Sequence, residues 1–199
     1  MRHLELKIAF SDYWHCGSGR GGTGSVDAAA VRDSTDGLPV VPGRHIKGLL
    51  RHGLLDLSEL GHIPPEAATI LCGRGTGDQT SFDAKTRFET EPGLLRVGTA
   101  RLPETWREAL GGDDKPRGEC ELLFRVQNIT AISGGTAKRR CLRSIEVTIP
   151  VTLRAQLSGD LSDQHVSWLD LATKLLRRVG ANRTRGLGRA DLSLSEVTS

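Results

Sequence analysis

The chain has 199 residues, with 27 Lys and Arg against 24 Asp and Glu, for a formal net charge of +3. That length supports one large domain with its own hydrophobic core, so no staple is needed to fold it. The four cysteines, Cys16, Cys72, Cys120 and Cys141, are far apart and form no Cys-x-x-Cys pair, which argues against a zinc site or disulfide framework. No apolar run is long enough to cross a membrane and the Met-Arg-His start does not resemble a secretory signal, so the cytoplasm is the expected compartment, with no membrane partner.

In chain order, Leu4, Leu6, Ile8 and Phe10 alternate with polar residues, the period of a half-buried first strand. A glycine-rich loop follows over 17–24, then a mixed stretch to a turn at Asp36-Gly37. Leu38 to Val41 reads as extended, because Pro42 disfavours helical backbone before it. Pro42-Gly43 opens a helix with Ile46, Leu49, Leu50 and Leu54 at core spacing. Residues 62–83 read as irregular, 94–100 as a strand, and 104–110 as a short helix.

In the second half, 120–129 and 145–157 read as two long strands, separated by a polar, basic excursion. Residues 166–179 have the pattern of an amphipathic helix, capped by Ser162 or Asp163. A glycine-arginine loop over 180–188 leads to a last alternating strand, 189–197. The order strand, helix, strands, helix, strand suggests an α+β fold with a ferredoxin-like (RRM-like) antiparallel sheet and large insertions. The expected organisation is one domain over 1–199, with a hairpin at 128–146 and an irregular insertion at about 62–118.

Four segments carry candidate chemistry. The Pro42-Gly43 turn feeds a helix whose first N–H groups can meet an anion, and Lys47 and Arg51, four apart, share one of its faces. The run from Gly180 to Arg189 combines glycines, which let backbone approach a ribose-phosphate chain, with arginines that grip phosphate; it follows a helix and lacks Walker A spacing. In Val26-Asp27-Ala28-Ala29-Ala30-Val31-Arg32-Asp33 a loop carboxylate could hold hydrated Mg²⁺ or orient a ribose hydroxyl, with Asp27, Asp33 and Asp36 equal on spacing alone. Residues 128–143 place Lys138, Arg139, Arg140 and Arg143 on an excursion that could touch RNA or a neighbouring subunit. His15 and His45 are candidate general bases without an obvious partner in the sequence. Each segment also has an ordinary reading, as a solvated face, a capping carboxylate or a glycine turn.

Taken in this order, the segments resemble the repeat-associated mysterious protein (RAMP) superfamily, and within it the repeating backbone subunit of type III CRISPR effector complexes. Trp14-His15-Cys16-Gly17-Ser18-Gly19 is similar to that family's Leu-His-Ile-Gly-x-Gly stretch. Leu38-Pro39-Val40-Val41-Pro42-Gly43-Arg44-His45-Ile46-Lys47-Gly48 is similar to its Pro-x-hydrophobic-Pro-Gly-Ser-Ser-hydrophobic-Lys-Gly, with Arg44-His45 in place of Ser-Ser. Asn128 to Glu146 resembles the thumb hairpin, and Arg183 to Arg189 the C-terminal glycine-rich loop.

The resemblance implies a subunit that stacks with copies of itself and other effector subunits along guide RNA. It implies cleavage of the paired target RNA by Asp27 with Mg²⁺ or Mn²⁺ held there. It implies RNA contacts at His15, Arg44, His45, Lys47, Arg51, Thr136, Lys138, Arg139, Arg140, Arg183, Arg185 and Arg189. The alternatives are a non-cleaving guide-RNA-binding subunit and a metal-independent guide-processing endoribonuclease using His15 or His45. The chain is short for this kind of subunit.

Overall fold

A computed structural model describes residues 1–17, 19, 26–74, 90–110, 117–137 and 140–197. Most of the 17–24 loop, Lys138, Arg139 and parts of the 62–118 insertion lie outside the described residues. The first strand, β1 (Arg2–Phe10), leads through irregular chain to α1 (Gly43–Glu59) and α2 (Ala67–Cys72). Short strands β2 (Gly73–Arg74), β3 (Glu91–Pro92) and β4 (Arg96–Val97) follow, then α3 (Glu104–Leu110) and α4 (Arg117–Glu121). A hairpin of β5 (Phe124–Ile129) and β8 (Arg143–Thr148) carries a tip made by β6 (Ile132–Ser133) and β7 (Thr136–Ala137). Last come β9 (Thr152–Gly159), α5 (Asp163–Leu175) and β10 (Ala190–Glu196).

The described strands form an antiparallel sheet in the order β10-β1-β9-β4. Leu4, Leu6, Ile8 and Phe10 point to its buried face, as a period of two requires, and pack with Leu153, Ala155 and Leu157 of β9. α1 and α5 cover that face through Ile46, Leu50, Leu54, Trp168, Leu169 and Ala172. The opposite face is polar: His3 and Lys7 are exposed, and Glu5 pairs with Arg154 at 2.6 Å. No described helix is long and apolar enough to cross a membrane.

α1 begins where the sequence places it because Gly43 alone fits there: a Cβ would lie 2.2 Å from the Val97 carbonyl oxygen of β4. Ser162, not Asp163, caps α5, accepting the His165 N–H at 3.2 Å while its own N–H donates to His165 Nδ1. α5 starts and ends earlier than its periodicity suggests, since Leu176 turns extended. Five expectations are corrected. The expected strand at 145–157 is two strands: β8 and β9 flank Pro150, which has no N–H to donate to a ladder, and they join different sheets. Cys120 and Glu121 are helical, so β5 starts at Phe124. The expected strand at 94–100 is reduced to β4 and a bridge at Ala100, and α2 stands within the stretch read as irregular. The hairpin spans 124–148 rather than 128–146.

Between β1 and α1 the chain is pinned by ion pairs reaching far along the sequence. Buried Asp33 accepts from Arg101 Nε at 2.6 Å and from the amide and hydroxyl of Thr35; Asp36 accepts from Arg107 Nε at 2.8 Å. Burial alone would raise the Asp33 pKa, but the Thr35 and Arg101 hydrogen bonds and the Arg101 charge outweigh it and hold it at about 2, against 3.8 for a free carboxyl. The unfolded chain therefore binds this proton first on acidification. The stabilisation is complete above pH 3.8 and is lost as pH falls through about 2. The melting temperature should fall as pH drops through that window in the native chain and fall less in Asp33→Asn; parallel pH curves would contradict the assignment.

Candidate nucleic-acid interface

The base of the hairpin organises the site. β8 is flanked by Trp14, which exchanges backbone hydrogen bonds with Thr148 at 3.0 and 2.8 Å, and by the 27–30 segment. There the Asp27 N–H donates to the Ser144 carbonyl at 2.8 Å and the Glu146 N–H to that of Ala28 at 2.9 Å. The Glu146 carboxylate accepts the Ala30 N–H at 2.9 Å and Arg32 Nη2 at 2.7 Å. Arg32 also makes a two-pronged pair with Glu121, at 2.7 and 3.1 Å, and lies 3.7 Å above the centre of the Phe124 ring. With side chains 29% and 14% exposed, Arg32 and Glu146 are shielded enough for the pair to matter.

The Glu146 carbonyl also sets the imidazole of buried His15, whose Nδ1 stands 2.6 Å away. A carbonyl only accepts, so Nδ1 carries a proton directed at it. The glycine-arginine loop closes over His15: Ala181 N–H donates to the His15 carbonyl at 2.7 Å, and a Cβ at Gly180, where φ is +102°, would lie 2.5 Å from that oxygen. From α1, His45 Nε2 accepts the Gly180 N–H at 3.1 Å. Burial, reinforced by the Arg183 charge, holds the His45 pKa below its usual value, so this imidazole is a neutral acceptor. Ile145, Val147 and Leu187, with Ala28 and Ile129 against them, form a small apolar cluster that joins hairpin, loop and glycine-arginine segment.

Above this cluster opens a cleft of about 1050 Å³. It collects His15, Asp27, Arg140, Arg143, Asn182 and Arg185. None of the three arginines has an ion-pair partner among the described residues. Arg140 and Asn182 have φ of +58° and +55°, and they are the non-glycine residues with positive φ among those described. Backbone of that kind clusters at working sites, and both line this cleft. Asp27 is exposed and is the one carboxylate in the cleft among the described residues. Its Oδ2 accepts the Ser144 N–H at 2.7 Å, and the Ser144 hydroxyl donates to Asn128.

The cleft thus brings together His15, Asp27, Arg140 and Arg185 of the expected residues. Arg183, Arg189 and Arg44 are exposed elsewhere, and Thr136 lies at the hairpin tip. Lys47 and Arg51 turn into the fold: Lys47 Nζ donates to the Leu95 carbonyl at 2.8 Å and Arg51 Nη1 to that of Gly73 at 2.6 Å. Asp33 and Asp36, equal to Asp27 on spacing, are held by Arg101 and Arg107. Arg143 and Asn182 lie within the candidate segments but were not among the RNA contacts that the resemblance implies. Arg143 belongs to the basic run, and Asn182 is a left-handed residue at a helix-to-strand turn, a signal the sequence did contain. Among the described residues no three His, Cys, Asp or Glu side chains stand together as a metal cage. A lone open carboxylate still suits Mg²⁺, which keeps most of its waters and shares phosphate ligands.

Replacing Glu146 by alanine strands the Ala30 N–H and removes one Arg32 partner. Denaturant unfolding should show a loss of about 2 kcal/mol, and amide exchange should quicken at 26–33 ahead of β1 and α1. Glu146→Gln, which can still accept from Ala30, should lose less; equal exchange in all three proteins would contradict this role of Glu146.

The family model described as the RAMP superfamily matches residues 8–191. A subunit from the cryo-EM structure of the type III-B Cmr-beta bound to cognate target RNA superposes with a TM-score of 0.69 at 12% identity, over 98% of this chain and 97% of that one. A subunit of type III-B Cmr-beta in the apo state gives 0.67 at 13%, over 100% and 98%. A subunit of a type IV-B CRISPR complex gives 0.58 at 12%, over 97% and 90%. The chain therefore spans nearly the whole of these subunits, so its length is ordinary among them. No curated protein matches by sequence. With the family model covering the hairpin, the cleft and the glycine-arginine loop, the chain belongs to the RAMP superfamily.

Proposed function

We propose that this chain is a backbone subunit of a CRISPR effector complex that holds guide RNA by its phosphates. The observation that carries this reading is the cleft itself, with Arg140, Arg143 and Arg185 unpaired among the described residues, inside a fold shared with subunits of type III-B and type IV-B complexes. Guanidiniums grip phosphate through paired N–H groups and read no sequence, so base pairing would choose the target. The same reading takes the β-α-β-β-α-β order as a ferredoxin-like core with the thumb inserted before β9, and copies of the chain as its neighbours.

The finer proposal is that Asp27 takes part in cutting the paired target RNA. RNA carries its own nucleophile in the 2′-OH, so the protein must align it and stabilise the charge that develops on phosphorus. Asp27 Oδ2 accepts the Ser144 N–H, which leaves the other oxygen to act as a proton acceptor or ribose anchor. Arg140, Arg143 and Arg185 would face the developing negative charge. A hydrated divalent ion, held by Asp27 and RNA phosphates, would add further neutralisation when bound. A second reading, a subunit that binds without cutting, is favoured by the Asp27–Ser144 hydrogen bond, because that contact gives the carboxylate a structural task.

Asp27→Asn separates the two, since its carbonyl oxygen can still accept the Ser144 N–H. Cleavage of labelled target by the assembled complex should fall by about 10²-fold or more, with RNA affinity kept and a 2′,3′-cyclic phosphate on the native product. Undiminished cutting would move the chemistry to another residue or subunit, and absence of cutting by the native complex would favour the non-cleaving reading.

A further inference from the structure

The arginine turn faces two ways. The 3₁₀ turn Arg183–Arg185 follows the left-handed Asn182 and ends at the left-handed Gly186, so it stands out as a single tight turn. Residues two apart on a three-residue turn project to different sides. Arg185 accordingly lines the cleft, whereas Arg183 lines a separate groove of about 530 Å³ between α1 and the chain leaving α5. Arg177 and Arg178 enter that groove because Leu176, at φ −75° and ψ 117°, turns the chain out of the helix. His52 and Asp56 enter it from α1, one helical turn apart.

The charge in this groove is unbalanced. Three guanidiniums face one carboxylate, Asp56. Arg177 is 3.9 Å from Asp191, with both side chains at least three-quarters exposed, so the pair holds little. Arg178 Nη1 reaches the Leu187 carbonyl at 3.4 Å, and most of its donors have no partner among the described residues. Arg183 has no ion-pair partner among the described residues. Uncompensated guanidiniums around a recess, continuous across one turn with those of the cleft, suit a polyanion that passes from one recess to the other.

We propose that the groove lined by Arg177, Arg178 and Arg183 is a second phosphate-binding site, and that single-stranded RNA leaving the cleft crosses the 183–185 turn into it. This rests on the reading of the cleft as an RNA site. Occupancy of both recesses would lengthen the RNA footprint without adding base contacts.

The test uses the full-length protein and fluorescent oligouridylates of ~6 and ~20 nucleotides, bracketing common single-strand site sizes. Arg177→Ala/Arg178→Ala should weaken the long RNA, lower its slope of log K against log salt by about 1.4 for two lost phosphates, and leave the short RNA unchanged. Arg177→Lys/Arg178→Lys should restore most of the slope, and matching melting curves exclude misfolding. An unchanged long-RNA slope would overturn the groove, even if that variant failed to join other subunits, since the face would then serve a protein partner. Equal weakening of both RNAs would overturn the path from cleft to groove. The triple variant Arg140→Ala/Arg143→Ala/Arg185→Ala serves as the control: if it binds both RNAs normally, the cleft reading fails, separately from the groove.

Discussion

Glu146 is the residue on which the cleft depends. Its amide donates to Ala28, its carbonyl accepts from His15 Nδ1, and its carboxylate receives the Ala30 N–H and Arg32. One position on β8 thereby sets the segment that carries Asp27 and the imidazole beside it. The arrangement is economical in charge, because Arg32 is satisfied by Glu121, Glu146 and the Phe124 ring and so leaves the cleft to other cations. A hairpin inserted far along the chain is thus tied to a loop near its start, and movement at the hairpin base would reach Asp27 directly through Ser144.

Local chemistry was readable where local rules decide structure. The alternation of β1, the Pro42-Gly43 start of α1 and the bounds of α3 follow from periodicity, helix entry and polarity. What escaped notice depends on partners distant in sequence. Asp27, Asp33 and Asp36 look alike along the chain, yet their partners lie 117, 68 and 71 residues away, and only those partners separate an open carboxylate from two held in ion pairs. Lys47 and Arg51 have the spacing of a shared exposed face, but the carbonyls of Leu95 and Gly73 draw them inward. The break at Pro150 was visible as a residue, while its consequence, two strands in different sheets, required the hairpin to be known.

The open face of the sheet makes a useful contrast. RRM sheets bind RNA by stacking bases on exposed aromatic side chains, whereas the strands here hold Phe10 buried and present His3, Glu5, Lys7 and Arg154 outward. Aromatic residues make up 4% of the chain, so stacking has little to work with anywhere. On the proposed reading, recognition would fall instead to guanidiniums on the hairpin and the glycine-arginine loop, where Arg140 and Asn182 have left-handed backbone. Grip by charge suits a subunit whose partner varies in sequence but never in backbone.

The central claim is that RNA lies between the thumb base and the glycine-arginine loop. Photocrosslinking guide RNA within the assembled complex, followed by mass spectrometry of the crosslinked peptides, tests it most directly. Crosslinks concentrated within 128–143 and 180–189 are the predicted result. Crosslinks confined to β1 and β9, on the open face of the sheet, would contradict it.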